Sequence, residues 1–515
     1  MRFKIDRVAY VICALFVVFL LIFGWKVHVI ETQGAEEDGY VGKAQKILSG
    51  QIPRDPWHPL LYPILSAAAG AVTGDTFTGA RAVTTLFAGL FVFAAYRLGR
   101  TCFSKEASLF ALVALVLNYN VICGGVEAAT DMSFAALVLV TLLLALRVSA
   151  DARYVPVILL ALSFALAFFT RYAALFLVPV VVMALSFSLS RVGAKRRAIT
   201  VATFVCAVGI VLIPHFILTA KAFGSPFYNE NWKNLAWKMY GENDWNYLRR
   251  VPYDRPLSVV MSSPMKVVFL CVRELGRFFY VTVGALGGQG LAGALFSATA
   301  LFGAYKSLFA IDRKRAILIT FASTFVFLTC LFFLSLPRLM LSILPLGYLW
   351  AGEFLLSGPF SGSFRVAKIR VSRAALVVAV FMIALVASTA LHLRMYVAAH
   401  PVRELEAARF VERTYGSNVT VFGTCPFMQR SVKYSYRALP VPTGDETSRS
   451  KLYFDRLKTL AETTNADFVI VGKLFLENRP VQLLSGVDVP DFLEVVYRTP
   501  DAVVYRVVKQ QAVRE

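Results

Sequence analysis

The chain has 515 residues, of which 57% are hydrophobic and 17% are charged, and its formal net charge is +21. This composition excludes an ordinary soluble domain and indicates a protein that crosses a membrane several times. Most Lys and Arg residues form short clusters between apolar runs, as in cytoplasmic loops that face anionic lipid. The lipid bilayer is therefore the expected partner of the basic residues, and nucleic acid is not.

A helix that spans a bilayer needs about 17 to 25 predominantly apolar residues. On this criterion the sequence predicts about eleven transmembrane helices, near 8–30, 78–97, 106–123, 131–147, 154–170, 172–190, 198–219, 284–306, 316–336, 339–357 and 374–397. Basic clusters occupy every second loop, which places the N-terminus in the cytoplasm and the C-terminus outside. The first run is too long for a cleavable signal peptide, so we expect it to stay as an anchor.

The apolar segment 59–74 is short and begins with Pro59 and Pro63. Counting it as a transmembrane span would invert every later loop and move the basic clusters outside. We therefore interpret it as an interfacial or re-entrant helix.

Two domains are predicted. Residues 1–397 form a transmembrane domain with outer loops at 31–77 and 220–283. Residues 398–515 lose the long apolar runs and form a small soluble α/β domain outside the membrane. Apolar runs predict its strands at Val419–Phe422, Phe468–Val471, Leu493–Tyr497 and Val503–Val507. A 3.6-residue periodicity predicts one helix at Arg403–Tyr415.

The first outer loop carries three consecutive acidic residues, Glu36, Glu37 and Asp38, ahead of an amphipathic helical pattern that starts at Tyr40. Carboxylates beside a membrane are costly and indicate a functional cavity. The alternative is an acidic first turn that merely caps the helix.

A second acidic group, Glu127 and Asp131, lies where the fourth predicted membrane helix begins. The two carboxylates are four residues apart and share one face if the helix has already started at Glu127. The alternative is an ordinary polar helix start. The predicted topology puts this group on the same side of the bilayer as Asp38.

Two isolated arginines, Arg171 and Arg338, map to the outer ends of predicted helices. Each guanidinium either snorkels to lipid head groups or grips a phosphate with two hydrogen bonds. Because outward carboxylates accompany them, we favour phosphate binding. His58 follows the polar and aromatic stretch from Arg54, which is suited to a lipid head group, although a lone histidine there is more often an interface residue.

These residues, in this order, resemble the GT-C membrane glycosyltransferases, in particular family 39. That family includes protein O-mannosyltransferases, lipid A aminoarabinose transferases and lipopolysaccharide galacturonosyltransferases. The resemblance covers about residues 8–350. The matching motifs are Glu36-Glu37-Asp38-Gly-Tyr40-x3-Ala44-x5-Gly50, Pro56-Trp-His-Pro59-Leu60-Leu-Tyr-Pro63, Thr130-Asp131-Met132, Arg171-Tyr172 and Arg338-x6-Pro345.

The resemblance implies an enzyme of the cell membrane, the inner membrane in a Gram-negative cell. It moves a sugar from a polyprenyl-phosphate donor to an extracytoplasmic glycan, lipid or protein. Asp38 is the implied general base, although the alignment leaves Glu36 in competition for that role. Arg171 and Arg338 stabilise the phosphate leaving group. Further contacts to the substrate are expected from Glu37, Asp131, Tyr40, His58, Glu127 and Tyr172.

No cofactor is required by this resemblance. It leaves open a divalent metal ion, whose ligands would be Asp38 and Asp131. A nucleotide-sugar donor is not expected, because the site faces away from the cytoplasm and the sequence has no Gly-rich phosphate loop.

Two other classes of protein compete with this interpretation. An O-antigen polymerase or ligase has a similar helix count, but would rely on Arg and His in late loops and needs no acidic first loop. A transporter would show internal repeats and charges within its spans, and neither is evident here.

The predicted sidedness can be tested by cysteine labelling. Single cysteines near Asp38 and within 398–515, in a background without the native cysteines, should react with an impermeant reagent added from outside. Cysteines at 193–197 should react only after the membrane is opened. Labelling of 193–197 from outside would contradict the eleven-helix topology.

Overall fold

The computed structural model describes residues 2–26, 39–150, 153–190, 192–241, 248, 251–288, 290–309, 311–332, 336–357, 363–366, 369–399, 405–424, 432–439, 450–472, 489–500 and 502–509. The chain divides into two compact units. The first comprises Met1–Lys26, Lys43–Glu242 and Pro252–Arg394, and the second comprises Val27–Gly42, Asn243–Val251 and Met395–Glu515.

The first unit is helical. Its helices, two of which run into the second unit at one end, are α1 (Arg2–Lys26), α2 (Tyr40–Leu48), α3 (Leu61–Thr73), α4 (Thr76–Cys102), α5 (Lys105–Val116), α6 (Tyr119–Gly124), α7 (Thr130–Ala150), α8 (Tyr154–Thr170), α9 (Val178–Leu189), α10 (Ala194–Phe223), α11 (Lys233–Tyr240), α12 (Pro256–Ser262), α13 (Pro264–Gly287), α14 (Leu291–Phe309), α15 (Arg313–Phe332), α16 (Leu344–Ser357) and α17 (Arg373–Ala399). Two 3₁₀ turns, Tyr172–Leu177 and Pro337–Ser342, precede α9 and α16, and a short antiparallel hairpin joins β1 (Ser363–Val366) to β2 (Ile369–Ser372).

Seven of the described helical segments are long and apolar enough to cross a membrane. They are Asp6–Trp25, Thr76–Cys102, Thr130–Ala150, Tyr172–Leu189, Ala194–Phe223, Arg313–Phe332 and Arg373–Val397. The polytopic character predicted from the sequence is confirmed, whereas the count of eleven spans is not. The expected interfacial helix within 59–74 corresponds to α3, a shorter apolar helix.

Tight local geometry sets the turn between α3 and α4. Gly74 ends α3 in the left-handed region, with φ of 77°, and Asp75 caps α4 by accepting the Thr78 N–H at 2.8 Å. The two helices cross so closely that a Cβ on Gly70 would lie 2.8 Å from the Thr76 Cα. Glycine therefore allows this hairpin to close.

The helix predicted at 284–306 begins later than predicted. The structure instead ends α13 at Gly287 and starts α14 at Leu291. Gly288 and Gly290 adopt φ of 80° and 109°, a region that L-residues rarely occupy, so the chain breaks there. A 24-residue helix, α13, thus occupies part of the segment 220–283 that was predicted to be an outer loop. The charged residues of α13 concealed its length from a hydropathy criterion.

Helix α7 is buried along almost its whole length and lies at the core of the first unit. Close to it, Asn118 connects three elements. Its side chain caps α6 by accepting the Asn120 and Val121 N–H groups, and its amide donates to the Ala285 carbonyl at 2.7 Å and the Tyr348 hydroxyl at 2.8 Å. This buried amide therefore joins α6, α13 and α16.

The second unit contains a five-stranded sheet of order β4-β3-β5-β7-β6, with β3 (Thr420–Gly423), β4 (Ser435–Ala438), β5 (Phe468–Gly472), β6 (Leu493–Arg498) and β7 (Ala502–Val507). Strands β3, β4 and β5 are parallel, and β7 is antiparallel to β5 and β6. In register, Val421 faces Phe468 and Ile470 faces Val504.

Two helices cover the two faces of this sheet, α18 (Leu405–Tyr415) and α19 (Ser450–Thr463). Alternate strand residues divide between them, as the two-residue period of a strand requires. Phe468 and Ile470 pack in one apolar cluster with α18, and Val469 and Val471 pack in the other with α19. The predicted small C-terminal α/β domain is confirmed as a fold.

Replacing Asn118 should destabilise the helical unit. Asn118→Ala removes the cap of α6 and leaves the buried Ala285 carbonyl without its 2.7 Å donor, which costs about 1–3 kcal/mol. We expect a lower Tm in detergent by differential scanning fluorimetry. Asn120→Ala is the matched control, since Asn120 is half-buried and donates only a 3.3 Å bond to the same carbonyl. Equal Tm values for both variants would contradict the role of Asn118.

Candidate active site

A partly open cavity of about 80 Å³ lies within the first unit. Five predicted site residues line it, namely His58, Asp131, Arg171, Tyr172 and Arg338. The rest of the wall is Trp57, Phe134, Ala173, Phe176, Asn231, Phe325, Thr329, Leu339 and Ser342. The cavity therefore combines two cationic side chains and a carboxylate with a largely aromatic wall, as expected for an amphipathic ligand.

Asp131 and Arg171 form a salt bridge at the cavity wall. Their side chains are 5% and 14% exposed, respectively. Asp131 lies in the first turn of α7, where the helix dipole favours a carboxylate. Arg171 follows α8 in an extended conformation, with φ of −151° and ψ of 135°, so its side chain leaves the helix axis. The pairing compensates two charges that would be costly to bury singly.

The turn that leads into Asp131 is held by side chains of α4. Arg81 Nε donates to the Val126 carbonyl at 3.2 Å, and Thr85 donates to the Gly125 carbonyl at 3.0 Å. These bonds satisfy backbone acceptors that precede α7 and fix where the helix begins. The position of the Asp131 carboxylate thus depends on α4.

Arg338 lies in the 3₁₀ turn that follows Pro337. Within the described part of the chain its guanidinium has no hydrogen bond or salt bridge, and it lines the cavity. An arginine without an anionic partner in a partly enclosed site is a ready receptor for an anion, above all phosphate or carboxylate.

His58 belongs to a polar network in the loop before α3. The Asp55 carboxylate accepts the Trp57 and His58 N–H groups at 2.7 and 3.0 Å, and its second oxygen lies 3.1 Å from His58 Nδ1. The same oxygen is salt-bridged to Lys43 of α2. The Asp55 side chain is only 5% exposed whereas that of His58 is 32% exposed, so Asp55 contacts the imidazole from its buried side.

The pKa values of this network follow from its geometry. Burial raises the pKa of Asp55, but its hydrogen bond with His58 and the Lys43 ammonium outweigh burial and hold that pKa below the usual value. Burial lowers the pKa of His58; Asp55 raises it, and the Lys43 and Arg171 cations lower it further. At neutral pH the network therefore contains a carboxylate, an ammonium and a neutral imidazole.

The segment before α11 closes one side of the cavity. Asn231 Nδ2 donates to the Trp57 carbonyl at 2.9 Å, and the Glu230 N–H donates to the Pro56 carbonyl at 2.9 Å. Further along, Lys238 donates to the Thr329 carbonyl at 2.9 Å and lies 3.6 Å from Glu274. These contacts hold the segment around α11 against the cavity wall.

Tyr172 has a polar partner behind the cavity wall. Its hydroxyl lies 3.3 Å from His215 Nε2, and the ring of His215 is surrounded by the aromatic rings of Phe168, Phe169 and Phe216. His215 belongs to the apolar helix α10, where a buried polar group requires a partner. The pair therefore fixes the orientation of Tyr172.

The structure does not bring every predicted residue to this cavity. Glu36, Glu37 and Asp38 lie outside the described residues. Tyr40 begins α2 and is buried. Glu127 is half-buried near Tyr119 and Cys123 and is not part of the described cavity lining. Because α7 begins only at Thr130, the condition under which Glu127 and Asp131 would share a helical face is not met.

Three residues that lie in or behind the cavity were not predicted as site residues, namely Lys43, Asp55 and Asn231. Asp55 precedes His58 by three residues, the spacing at which a carboxylate accepts backbone N–H groups in a turn. That spacing was a usable signal. Asn231 reaches the cavity only through tertiary packing, and no local pattern indicated it.

The described cavity residues do not fit a divalent cation. Asp131 is their only carboxylate and is paired with Arg171, and Arg338 adds a second positive charge. In the described part of the chain no group of three or more His, Cys, Asp or Glu residues could hold a metal ion. A cation needs several oxygen ligands and little competing positive charge. The donor set suits an anion better.

The chain as a whole resembles solved membrane glycosyltransferases in its overall fold. ArnT from Cupriavidus metallidurans bound to undecaprenyl phosphate superimposes with a TM-score of 0.58 at 15% identity, covering 96% of this chain and 97% of that chain. The archaeal oligosaccharyltransferase AglB from Archaeoglobus fulgidus, in complex with an inhibitory peptide and a dolichol-phosphate, gives a TM-score of 0.53 at 13% identity, covering 90% and 68%. The chain thus has the GT-C fold.

The sequence itself also matches a family model. Residues 57–217 match the family described as dolichyl-phosphate-mannose-protein mannosyltransferase, and this segment contains His58, Asp131, Arg171 and Tyr172. The resemblance to GT-C glycosyltransferases of family 39 is therefore confirmed. A comparison with curated proteins gave no match.

Removing the Asp55 carboxylate should destabilise the protein in a pH-dependent way. Asp55→Asn breaks the buried ion pair between Asp55 and Lys43, and removing one partner of such a pair costs about 3–5 kcal/mol. Because folding lowers the pKa of Asp55, its stabilisation is complete above the unfolded value near 4 and is lost as the pH falls through the lower folded value. The Tm difference between wild type and variant should therefore be large at pH 7 and shrink in acid.

Asp254→Asn is the control for this pH series, because Asp254 is exposed and should have little effect at any pH. A Tm difference for Asp55→Asn that stays constant from pH 7 down to strong acid would show that the carboxylate charge is not what stabilises the loop.

Proposed function

We propose that the chain is an integral-membrane glycosyltransferase that transfers a sugar from a polyprenyl-phosphate donor to an extracytoplasmic acceptor. The observation that carries the proposal is the cavity itself, which Arg171, Arg338 and the Asp131 carboxylate line together within a GT-C fold. ArnT and AglB, which share the fold, were solved with undecaprenyl phosphate and dolichol-phosphate.

Arg338 is the proposed phosphate-binding residue. It lines the cavity and has no anionic partner among the described residues. A phosphate can therefore accept two parallel hydrogen bonds from the N–H groups on one edge of the guanidinium. During transfer the bond between the anomeric carbon and the phosphate oxygen breaks, and negative charge develops on that oxygen. A fixed guanidinium stabilises this charge more than the ground state, which is what accelerates the step.

Arg171 has a different role in the proposal, since it is already paired with Asp131. The pair is close to neutral overall and stays in place before the substrate arrives. It adds directed N–H donors to the cavity without adding a second full positive charge. We assign Asp131 to orienting Arg171 and, through its remaining acceptor capacity, a hydroxyl of the substrate.

The aromatic side of the cavity suits the lipid end of the donor. Phe134, Phe176 and Phe325 line it together with Leu339, and Phe176 contacts Phe325 with ring centroids 5.1 Å apart. Apolar walls favour an isoprenoid segment by removing its surface from water. The proposed ligand therefore enters with its phosphate towards Arg338 and its chain against these rings.

The acceptor and the general base are less defined by the described residues. The resemblance assigns the base to Asp38 or Glu36, both outside those residues, and this assignment stays a prediction. The sidedness of the cavity also stays a prediction from the basic loops. Deleting the gene and identifying the lipid-linked sugar that accumulates would reveal the donor.

Binding of undecaprenyl phosphate tests the phosphate site directly. In native mass spectrometry the wild type should bind undecaprenyl phosphate much more tightly than undecaprenol, which lacks the phosphate. Arg338→Ala should lose most of this preference, on the order of tenfold or more, because charge-assisted hydrogen bonds contribute about 1.5–3 kcal/mol. Arg338→Lys should retain part of it, since the charge remains without the planar fork.

Arg373→Ala provides the matched control. Arg373 is also an arginine at a helix end, but it is exposed and belongs to a basic cluster that the topology puts in the cytoplasm. It should keep the wild-type preference. Equal preference in wild type and Arg338→Ala would leave Arg338 as a snorkelling residue and would count against the proposed phosphate site.

A further inference from the structure

Helix α13 exposes a face on which two arginines lie among large apolar side chains. Phe269, Val272 and Tyr280 are 68%, 67% and 65% exposed, and the side chain of Arg273 is 62% exposed. Arg277, one turn after Arg273, is exposed as well. Residues spaced by three, four and seven positions share one side of a helix. An apolar surface of this kind, in a protein that crosses a membrane, indicates contact with lipid.

The guanidinium of Arg273 is held in place from one side. Its Nε donates to Glu274 Oε1 at 3.3 Å. Its Nη2 donates to the same oxygen at 3.1 Å and to the Lys238 carbonyl at 3.2 Å. Within the residues that the structure describes, Nη1 of Arg273 makes no hydrogen bond. Arg273 therefore presents N–H donors in a fixed direction, which is how a guanidinium receives a phosphate or carboxylate.

Positive charge exceeds negative charge around this face. In the sequences of α11, α12 and α13 the only acidic residue is Glu274, whereas the basic residues are Lys233, Lys238, Lys266, Arg273 and Arg277. Glu274 already faces Arg273 at 3.1 Å and Lys238 at 3.6 Å. Over the described part of the chain Arg277 forms no salt bridge. Its charge therefore adds to a cluster in which one carboxylate already serves two cations.

The pKa of Lys238 reflects this balance of charge. Burial lowers the pKa of the ammonium to about 8, although the Glu274 carboxylate raises it, and the Arg277 cation lowers it further. A cation that disfavours a neighbouring positive charge in this way favours an anion at the same place. The cluster thus has the charge of an anion-binding surface.

The helix surface beside the two arginines is open. Gly276 precedes Arg277 and carries no side chain, and a Cβ built on it would meet no heavy atom within 4 Å outside its immediate chain neighbours. A glycine lets a ligand approach the backbone closely. A head group can therefore lie at Gly276 while its acyl chains follow the exposed apolar residues of the same face.

We propose that this face of α13 binds an anionic phospholipid of the surrounding bilayer, whose phosphate accepts hydrogen bonds from Arg273 and Arg277. The excess positive charge favours a head group with a net negative charge over a zwitterionic one, because an ammonium in the head group would be repelled by the same cations. No residue of α13 belongs to the described lining of the cavity. The lipid site is therefore separate from the proposed donor site and does not depend on the proposed function.

Photo-crosslinking in nanodiscs tests this site. Two lipid probes with the same diazirine-bearing acyl chain, a phosphatidylglycerol and a phosphatidylcholine, are compared by mass spectrometry of the peptides that cover 264–287. The wild type should be labelled there more by the phosphatidylglycerol. Arg277→Gln should lower this preference about fivefold, since one basic residue beside an anionic lipid contributes about 1 kcal/mol. Arg277→Lys should keep most of the preference, because the charge remains.

Two further variants make the test specific. Gly276→Leu keeps both arginines but fills the open surface, where the added side chain has room, so it should also lower the preference. Arg409→Gln is the matched control. Arg409 and Arg413 are likewise exposed arginines four residues apart, on α18 of the second unit, and Arg409→Gln should leave the labelling of α13 unchanged. Each variant should keep the wild-type Tm, since neither Arg277 nor Gly276 makes a side-chain hydrogen bond to the described residues.

Three results would overturn the proposal. Equal labelling of α13 by the two probes would leave only arginines that snorkel towards any lipid. Wild-type preference in Arg277→Gln would exclude that residue from the site. Displacement of the label by undecaprenyl phosphate, at concentrations where unlabelled phosphatidylglycerol has no effect, would assign the face to a polyprenyl phosphate instead. The labelling requires no sugar transfer, so its outcome is independent of whether the proposed function is correct.

Discussion

Charge that is buried beside a membrane must be compensated within the protein, and the salt bridge between Asp131 and Arg171 meets this requirement at the centre of the site. Neither side chain is more than 14% exposed, so breaking this buried ion pair by removing one of its partners would be strongly destabilising. The pair ties the start of α7 to the end of α8. Since α7 is the buried core helix of the first unit, the geometry of the cavity depends on this one contact.

Both cavity arginines occur where a helix is interrupted. Arg171 follows α8 and precedes the turn Tyr172–Leu177, and Arg338 lies in the turn Pro337–Ser342 ahead of α16. In each case the residue before the 3₁₀ turn is extended, with φ of −151° at Arg171 and −125° at Leu336. An interrupted helix lets a long polar side chain leave the apolar bundle and face an aqueous cavity. The breaks are therefore part of how the site is built.

Polarity is distributed unevenly around the cavity. Arg338 offers donors for an anion, whereas His58 offers a polar imidazole whose Nδ1 contacts the Asp55 carboxylate, itself salt-bridged to Lys43. An ionised phosphate and a hydroxyl group differ in their hydrogen bonding, since the phosphate only accepts hydrogen bonds whereas the hydroxyl group also donates one. The cavity can thus bind one substrate in a defined direction, with aromatic residues providing the apolar side.

Sequence reasoning predicted the parts of the protein that follow from local composition. Apolar length indicated the membrane helices, alternation indicated β5 and β7, and isolated charges at helix ends indicated Asp131, Arg171 and Arg338. It failed where charge masked helical length, as in α13, and where two glycines divided the helix expected at 284–306. Both errors arise because a hydropathy criterion averages over residues whose individual conformations decide where a helix stops.

By itself, then, the sequence determined that the chain crosses a membrane several times, contains a small α/β domain after the last apolar run and carries charges at helix ends in an order that resembles GT-C glycosyltransferases. Only the tertiary structure decided which charges meet. Asp131 pairs with Arg171 across 40 residues, and Asn231 binds the Trp57 carbonyl across 174 residues. Such contacts are set by how helices pack, and the low dielectric of the packed interior makes each pairing energetically decisive. A linear pattern contains the residues but not the distances between them.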